Sequence, residues 1–150
     1  MSGLTLVDAN VLLDILTADA NWLAWSSTKL REAKSVGSIA VNPVICAEIA
    51  PAFDFEWRKL DAWLSQAGLL KESLPFEAAT IAAAAHRTYR QRGGLRNTPM
   101  PDFYIGAHAE VCGHKLLSRD DARYSSYFPK VTLITPMRTG DDSGKIENSN

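Results

Sequence analysis

The chain has 150 residues, 46% of them hydrophobic, and a formal net charge of −1 with a sequence pI near 6.3. This length and apolar content fit one compact domain that can fold without disulfides or a structural metal. The nearly balanced charge excludes a global basic field that would gather nucleic acid indiscriminately, so any polyanion has to be bound locally. The longest apolar stretch, around residues 78–85, is too short for a membrane span, and no signal-peptide pattern precedes it. We therefore expect a cytoplasmic protein with no membrane contact.

The chain has two cysteines and three histidines, and none falls into a familiar metal-binding pattern. Cys46 and Cys112 are far apart in sequence and lie among apolar residues, which predicts buried, reduced thiols and suits the cytoplasm. The spacing of His86, His108 and His114 matches neither HExxH nor H-x-E. They are interpreted as ordinary structural or surface histidines.

Strand-like and helix-like segments alternate along the chain, which predicts an α/β domain with a mainly parallel sheet. Asp8 follows the first apolar run and is placed to cap the first helix. Gly and Pro residues mark the ends of several later helices. The predicted strands are 4–7, 38–41, 69–71, 114–118 and 131–134. The first predicted helix follows Asp8 and includes residues 11–16. The other predicted helices are about 21–36, a short helix opened by residues 42–43, 55–67, 75–91, 101–112 and a short segment at 122–127.

The end of the chain differs in composition from the rest. From Met137 onward the residues are mostly polar and include two glycines, so this segment cannot bury enough surface to offset the entropy of ordering. The sequence therefore predicts one folded domain at 1–136 and a flexible polar tail at 137–150.

Four acidic residues, Asp8, Glu48, Asp102 and Asp120, each lie near the beginning or end of a predicted element. Carboxylates brought together repel one another unless cations neutralise them. If the four converge, the sequence predicts a divalent metal site, and the chemistry most typical of such a site is phosphodiester hydrolysis.

Each acid taken singly also has a structural explanation. Asp8 fits a helix cap, Asp102 fits the first turn of a helix, Asp120 fits a turn, and Glu48 fits a wet helix face. The combination favours a site, because Asp8 and Asp120 follow the carboxyl ends of predicted strands, where sites form in open α/β sheets. Asp102 and Glu48 share helix faces with apolar residues and so point toward the core.

The order and spacing of several short motifs resemble the PIN-domain ribonucleases, and more narrowly the VapC-type toxins of type II toxin-antitoxin pairs. The resemblance extends to about Pro136. It implies a PIN-like three-layer α/β/α fold with a central mainly parallel sheet, bound Mg²⁺ or Mn²⁺, RNA cleavage, a homodimer and inhibition by a cognate antitoxin. The motifs are Leu6-Val7-Asp8-Ala9-Asn10, Glu48, Pro101-Asp102-Phe103-Tyr104-Ile105-Gly106-Ala107-His108-Ala109, and Leu116-Leu117-Ser118-Arg119-Asp120 followed by Tyr127-Phe128.

The resemblance also implies roles for individual residues. The metal-binding, catalytic quartet would be Asp8, Glu48, Asp102 and Asp120. Asn10 would steady the quartet, and Ser118 stands where the family often has threonine, which keeps the hydroxyl. Asp121 competes with its neighbour Asp120 for the metal-facing position. Asp120 is favoured, and Asp121 is interpreted as the cap of the segment at 122–127.

Basic residues gather between the alanine-rich helix and Asp102. Arg87, Arg90 and Arg96 are candidate substrate-binding residues, since arginine pairs with phosphate through two hydrogen bonds. The alternative is a solvated helix end whose cations complement the helix dipole. The resemblance implies RNA products with 5′-phosphate and 3′-hydroxyl ends.

Some alternatives stay open at the level of sequence. Trp22 and Trp25 fit either core packing or an apolar groove for an antitoxin segment. A haloacid-hydrolase-like phosphatase also places an aspartate after its first strand, but it needs a second aspartate where this chain has Asn10. A non-catalytic PIN-like interaction module is the other alternative, although such a module would more naturally have lost one of the acids.

Overall fold

The structure is a computed structural model, and it describes residues 3–94 and 100–140. Within these residues six strands form one sheet in the order β3-β2-β1-β4-β5-β6. The strands are β1 Thr5–Val7, β2 Ile39–Val41, β3 Leu69–Lys71, β4 Lys115–Leu117, β5 Leu133–Thr135 and β6 Arg138–Thr139. The helices are α1 Ala9–Leu16, α2 Leu23–Val36, α3 Pro43–Ile49, α4 Trp57–Ala67, α5 Ala78–Gln91, α6 Pro101–Cys112 and α7 Asp121–Tyr127, with a 3-10 turn at Ala50–Phe53. The predicted α/β fold with a mainly parallel sheet is confirmed.

β1 lies at the centre of the sheet. It pairs in parallel with β2 on one side and with β4 on the other, so that Leu6 lies between Ala40 and Leu116. These central residues are fully buried. Buried on both faces, the central strands are short apolar runs without polar alternation, as expected for the middle of a parallel sheet.

The order of the strands reverses between β1 and β4. From β1 the chain moves outward to β2 and β3, then returns across the sheet to β4 and moves the other way to β5. Since parallel crossovers are right-handed, the two halves place their helices on opposite faces. α1 packs against α2, while α5 packs against α6 and α7. The carboxyl ends of β1 and β4 therefore flank the switch point where α/β proteins form sites.

α6 is buried on nearly every side, and its bounds match the predicted 101–112. Proline occupies its first turn, and Gly113 follows its last residue with a φ of +66°, a conformation that glycine adopts at little cost. Gly106 lies against the ring of Phe128, and a Cβ there would come within 2.4 Å of a ring carbon. The helix thus packs closely and holds the residues of its first turn in place.

Several element predictions differ from the structure; α4 begins at Trp57 and α5 at Ala78, later than the predicted residues 55 and 75. α2 begins at Leu23 and not near residue 21, because the Asp19 carboxylate accepts hydrogen bonds from the backbone N–H groups of Asn21 and Trp22 and so holds a turn there. At the other end, residues 138–139 form β6, where the sequence predicted a tail from Met137. β6 pairs antiparallel with β5, and the Arg138 side chain donates to Asp121 at 2.8 Å.

The remainder of that tail, residues 141–150, and the candidate Arg96 lie outside the described residues. In the part of the chain that is described, no helix has both the length and the apolar character needed to cross a bilayer. The division into a domain and a tail stays a prediction.

The cysteines and tryptophans are less buried than the sequence suggests. Cys46 and Cys112 are unpaired thiols, as predicted, but both are half-buried and not buried. Trp22 and Trp25 are also half-buried and meet edge to face, with ring centroids 5.9 Å apart. Trp25 packs against the core, while the Arg119 guanidinium lies 5.0 Å from the centre of the Trp22 ring. The Trp22 ring therefore contacts Arg119 within the same chain.

Candidate active site

Asp8 is held in one orientation at the carboxyl end of β1. It is only 3% exposed, and its backbone N–H donates to the Leu117 carbonyl at the end of β4. As the N-cap of α1, it accepts a hydrogen bond from the Ala9 N–H at 2.7 Å on Oδ1. The predicted cap is confirmed, and the cap fixes the direction in which Oδ2 points.

Three side chains converge on that second oxygen. Asp8 Oδ2 accepts from the Ser118 hydroxyl at 2.8 Å, from the Tyr124 hydroxyl at 2.9 Å and from the Asn10 amide at 3.3 Å. The Asn10 amide also donates to Ser118 Oγ, and its oxygen accepts from the Arg119 N–H at 3.1 Å. Asn10 and Ser118 thus support Asp8 by linking β1 to the segment that follows β4.

Three of the four predicted acids come together at this edge of the sheet. Asp8, Glu48 and Asp102 each present a carboxylate oxygen, and these oxygens lie within 4.8 Å of one another. They come from β1, α3 and α6, elements that are distant in sequence and meet at the switch point. This convergence could be anticipated only from the strand and helix ends on which the residues lie.

The pKa values of the three carboxyl groups are raised, which shows that their ionised forms are destabilised in this cluster. Burial raises the pKa of Asp8 to about 6, against the hydrogen bonds from Ser118 and Tyr124, and the nearby Asp102 raises it further. Burial together with the charges of Asp8 and Asp102 raises the pKa of Glu48 to about 7. Burial also raises the pKa of Asp102. Near neutral pH the cluster therefore holds protons that a bound cation would displace.

Asp120 lies beside this trio and not within it. Its Oδ1 accepts from the Arg123 N–H at 3.2 Å, which makes Asp120 the N-cap of α7. Its Oδ2 lies 3.2 Å from the Arg123 guanidinium, and the same Arg123 nitrogen forms an ion pair with Asp102. Arg123 therefore connects Asp120 to the trio as an internal countercation.

The structure shows which of the neighbouring residues Asp120 and Asp121 caps α7. The predicted cap at Asp121 is wrong, since Asp120 caps α7 and Asp121 is its first helical residue. Asp121 Oδ1 instead accepts from the Thr135 hydroxyl and from Arg138, both at 2.8 Å. Asp121 is thus committed to β5 and β6, which leaves Asp120 as the carboxylate beside the acidic trio.

Arg123 and Tyr124 are parts of the site that sequence reasoning missed. The spacing of Asp120 and Arg123 predicts a helical ion pair at most. Its second partner, Asp102, comes from another helix. For Tyr124 no local pattern distinguishes a hydroxyl aimed at Asp8 from an ordinary core aromatic.

Two of the three arginines predicted to bind substrate, Arg87 and Arg90, lie on α5. Arg87 and Arg90 are exposed and line a groove together with His86 and Gln91. At three residues apart they share one face of the helix. Arg92 instead stacks on the Tyr127 ring, with its guanidinium carbon 5.3 Å from the ring centre. Two adjacent cations on α5 therefore remain accessible to a ligand.

The chemistry of the acidic trio fits Mg²⁺ or Mn²⁺. The donors are carboxylates, and hard cations such as these prefer oxygen ligands and retain part of their hydration shell. A cation there would stabilise the charged carboxylates against the burial and the mutual repulsion that raise the pKa values of Asp8 and Glu48. Cation binding has to compete with Arg123 for Asp102.

Comparison with known proteins gives matches among solved structures. No protein-family model matches the sequence, and no curated protein matches it. A chain of VapBC2 from Rickettsia felis, bound to a DNA fragment from the promoter, matches with a TM-score of 0.69 and 15% identity over 89% of this chain and 98% of that chain. A chain of DNA-bound VapBC from Salmonella typhimurium matches with a TM-score of 0.65 and 13% identity over 90% and 98%. A chain of a toxin-antitoxin complex from Klebsiella pneumoniae matches with a TM-score of 0.59 and 17% identity over 89% and 98%.

At these low identities the likeness concerns the fold. The chain has the PIN-like three-layer α/β/α architecture that the sequence predicted, and it covers nearly the full length of the chains it matches. The resemblance inferred from the short motifs is thereby confirmed at the level of the fold.

Proposed function

We propose that this protein is the toxin of a toxin-antitoxin pair and that it hydrolyses RNA as a Mg²⁺- or Mn²⁺-dependent endoribonuclease. The observation that carries the proposal is the convergence of Asp8, Glu48 and Asp102 at the switch point of this sheet. The solved structures with a similar fold include a toxin-antitoxin complex, which supports the proposal that this protein is a toxin. RNA in the cytoplasm is the substrate, and a cognate antitoxin and a second copy of the chain are the protein partners.

The acidic residues have distinct tasks in this proposal. Asp8, Glu48 and Asp102 hold the metal ion, with Asp120 close enough to join them once Arg123 moves. When bound, the ion supplies a Lewis acid that lowers the pKa of water and offsets the charge that develops on the phosphate. The chain itself orients the carboxylates and needs no nucleophilic side chain.

The residues around the acids keep the site ready for a cation. Ser118, Asn10 and Tyr124 donate to the same oxygen of Asp8, so they stabilise its ionised form and fix its direction. Arg123 neutralises Asp102 and Asp120 until a metal ion or a phosphate group takes over one of these contacts. A guanidinium released from a carboxylate is then free to bind phosphate.

The decisive experiment measures cleavage of labelled total RNA with Mn²⁺ or Mg²⁺, with and without EDTA. We expect the parent protein to cut RNA and EDTA to stop it, while Asp8→Asn and Asp102→Asn lower the rate by about 100-fold or more because each removes a charged ligand. The control is Asp54→Asn, the same chemical change at an exposed carboxylate. Full activity in both site variants would reject the nuclease assignment.

The groove on α5 is the proposed place where the RNA backbone binds. In the Asp102→Asn background, which separates binding from cleavage, we expect Arg87→Ala and Arg90→Ala to weaken RNA binding and to reduce its salt dependence by about one counterion each. Arg58→Ala is the control, since Arg58 is also exposed but lies on α4. If the salt dependence is the same in all of these variants, RNA binds elsewhere.

A further inference from the structure

A second group of potential metal ligands lies away from the acidic trio. Glu72 follows β3, His108 and Cys112 lie one helical turn apart on α6, and His114 precedes β4. Each of these residues presents a ligand atom, and the four atoms lie within 4.8 Å of one another. From Asp102 to Cys112 the distance along α6 is about 15 Å at 1.5 Å per residue, so the two groups do not share an ion.

Glu72 is the centre of this second group. Its Oε1 lies 2.6 Å from His114 Nε2 and 3.3 Å from His108 Nε2. The His108 side chain is fully buried, the His114 side chain is 9% exposed, and that of Glu72 is 28% exposed. A half-buried thiol, an imidazole and a carboxylate whose ligand atoms lie within 4.8 Å of one another form a donor set of mixed sulfur, nitrogen and oxygen atoms, which suits Zn²⁺ and Co²⁺ and not Mg²⁺.

The two histidines have different freedom to bind a metal. Asn42 Oδ1 accepts from the Ile45 N–H, so the Asn42 amide NH₂ faces His108 Nδ1 at 3.0 Å. This contact keeps the proton of neutral His108 on Nε2, from which it donates to Glu72. His114 Nδ1 has no hydrogen-bond partner within the described residues, so the single proton of the neutral ring can lie on Nδ1 and leave the Nε2 lone pair for a metal ion.

We propose that Glu72, Cys112 and His114 form a site for a zinc-class divalent ion, with His108 as the N–H donor that orients Glu72. Three protein ligands leave a fourth position for water, which is the usual count for an open zinc site. The ion would tie the segment after β3 to the end of α6 and the start of β4. The site is independent of the proposed nuclease centre, because none of its ligands belongs to the acidic trio.

Cobalt gives a direct test, because a cobalt–thiolate bond produces a charge-transfer absorption in the near ultraviolet that carboxylates alone do not produce. Metal-free protein is titrated with Co²⁺ and the absorption is followed to saturation. We expect one equivalent to bind with this band, and Zn²⁺ to displace Co²⁺ and remove the band. We also expect Zn²⁺ to raise the melting temperature of the parent protein.

The variants assign the ligands. Cys112→Ser should abolish the band and weaken Co²⁺ binding by about 100-fold or more, since loss of even an outer-shell partner costs 10–100-fold. Cys46→Ser is the matched control, because Cys46 is the other half-buried thiol and should leave the band intact. Glu72→Gln should weaken binding while keeping the band at high Co²⁺ concentration.

The outcomes separate this site from the proposed nuclease centre. The double variant Asp8→Asn, Asp102→Asn should keep the cobalt band whether or not RNA cleavage depends on those acids. The proposal is overturned if no band appears, if Cys112→Ser leaves the band unchanged, or if the band is lost in Cys46→Ser. Circular dichroism of each variant shows whether the fold is kept.

Discussion

The best-defined residue of the molecule is Asp8, whose single carboxylate combines structural and chemical roles. One oxygen caps α1 and the other accepts hydrogen bonds from Ser118, Tyr124 and Asn10. Burial raises the pKa of Asp8, while the hydrogen bonds from Ser118 and Tyr124 lower it. The pKa of Asp8, and with it the pH at which the carboxylate can bind a cation, therefore depends on each donor.

Tyr124→Phe tests this dependence, because it removes one donor and keeps the ring. We expect the pKa of Asp8 to rise, so that RNA cleavage falls by about 5-fold near pH 6 and very little near pH 8. A pH–rate profile measures the shift of the acid limb. Tyr127→Phe is the control, since its ring packs against Tyr89 and Phe103 on the same face of the fold. An acid limb that stays in place would show that the Tyr124 hydroxyl does not tune Asp8.

Among the helices and strands, α6 carries residues of both candidate metal sites. Its first turn carries Asp102, and its later turns carry His108 and Cys112. Gly106 allows the helix to lie directly on the Phe128 ring, which follows α7. Because α7 carries Arg123 and Tyr124, this contact also sets the distance between the acids and their partners.

Gly106→Ala should therefore destabilise the protein despite the better helix propensity of alanine. The added methyl would overlap the Phe128 ring, and overpacking of this kind costs about 1–3 kcal/mol, against a gain of up to about 1 kcal/mol from propensity. Urea unfolding measures the difference. Gly37→Ala is the control, because its extended φ of 175° suits any residue and nothing lies within 4 Å of the added methyl. Equal stability of the two variants would show that α6 can shift away from Phe128.

The elements differ in how well the sequence predicts them. α6 could be placed to the residue because proline and glycine mark its ends. The central strands could be placed to within one residue at each end because they are short apolar runs. β6 could not be predicted from the sequence, because Arg138 and Thr139 are polar and form a strand only through pairing with β5. The start of α2 was missed for a related reason, as the side chain of Asp19 decides it locally.

The candidate site also has parts that the sequence predicts and parts that it does not. Convergence of Asp8, Glu48 and Asp102 could be inferred from strand ends and helix faces, because backbone topology brings those positions together. The bridge from Arg123 to Asp102 and the cluster around Glu72 could not, because each depends on side-chain direction across elements far apart in sequence. Histidines without a recognisable spacing were interpreted as structural, although two of them meet at one carboxylate.

For the molecule as a whole, the acidic trio should make the stability depend on pH. Glu48 has a pKa of about 7 in the folded protein against an ordinary value of 4.5. A carboxyl whose pKa is raised on folding contributes stability that is complete below the unfolded value and is lost as the pH rises through the folded value. Between about pH 5 and pH 8 the metal-free protein should therefore become less stable.

Glu48→Gln should reduce that loss, since glutamine carries no charge at any pH. Because Glu48 is only partly buried, we expect the metal-free variant to be more stable than the parent by on the order of 1 kcal/mol near pH 8 and equal to it near pH 5. Denaturant unfolding in EDTA at both pH values measures this. Mg²⁺ or Mn²⁺ should stabilise the parent near pH 8 and leave the variant almost unchanged. A parent protein whose stability is the same at both pH values would contradict the assignment of Glu48 to a crowded acidic site.

The contact of Arg123 with both Asp102 and Asp120 also bears on how the polypeptide matures. In a newly synthesised chain, the Arg123 guanidinium can pair with Asp102 and Asp120 as the sheet forms. The remaining acids of the site take up protons from the solvent. The sheet can therefore close before any ion arrives. If the acidic trio binds a metal ion as proposed, loading can follow folding as a separate step.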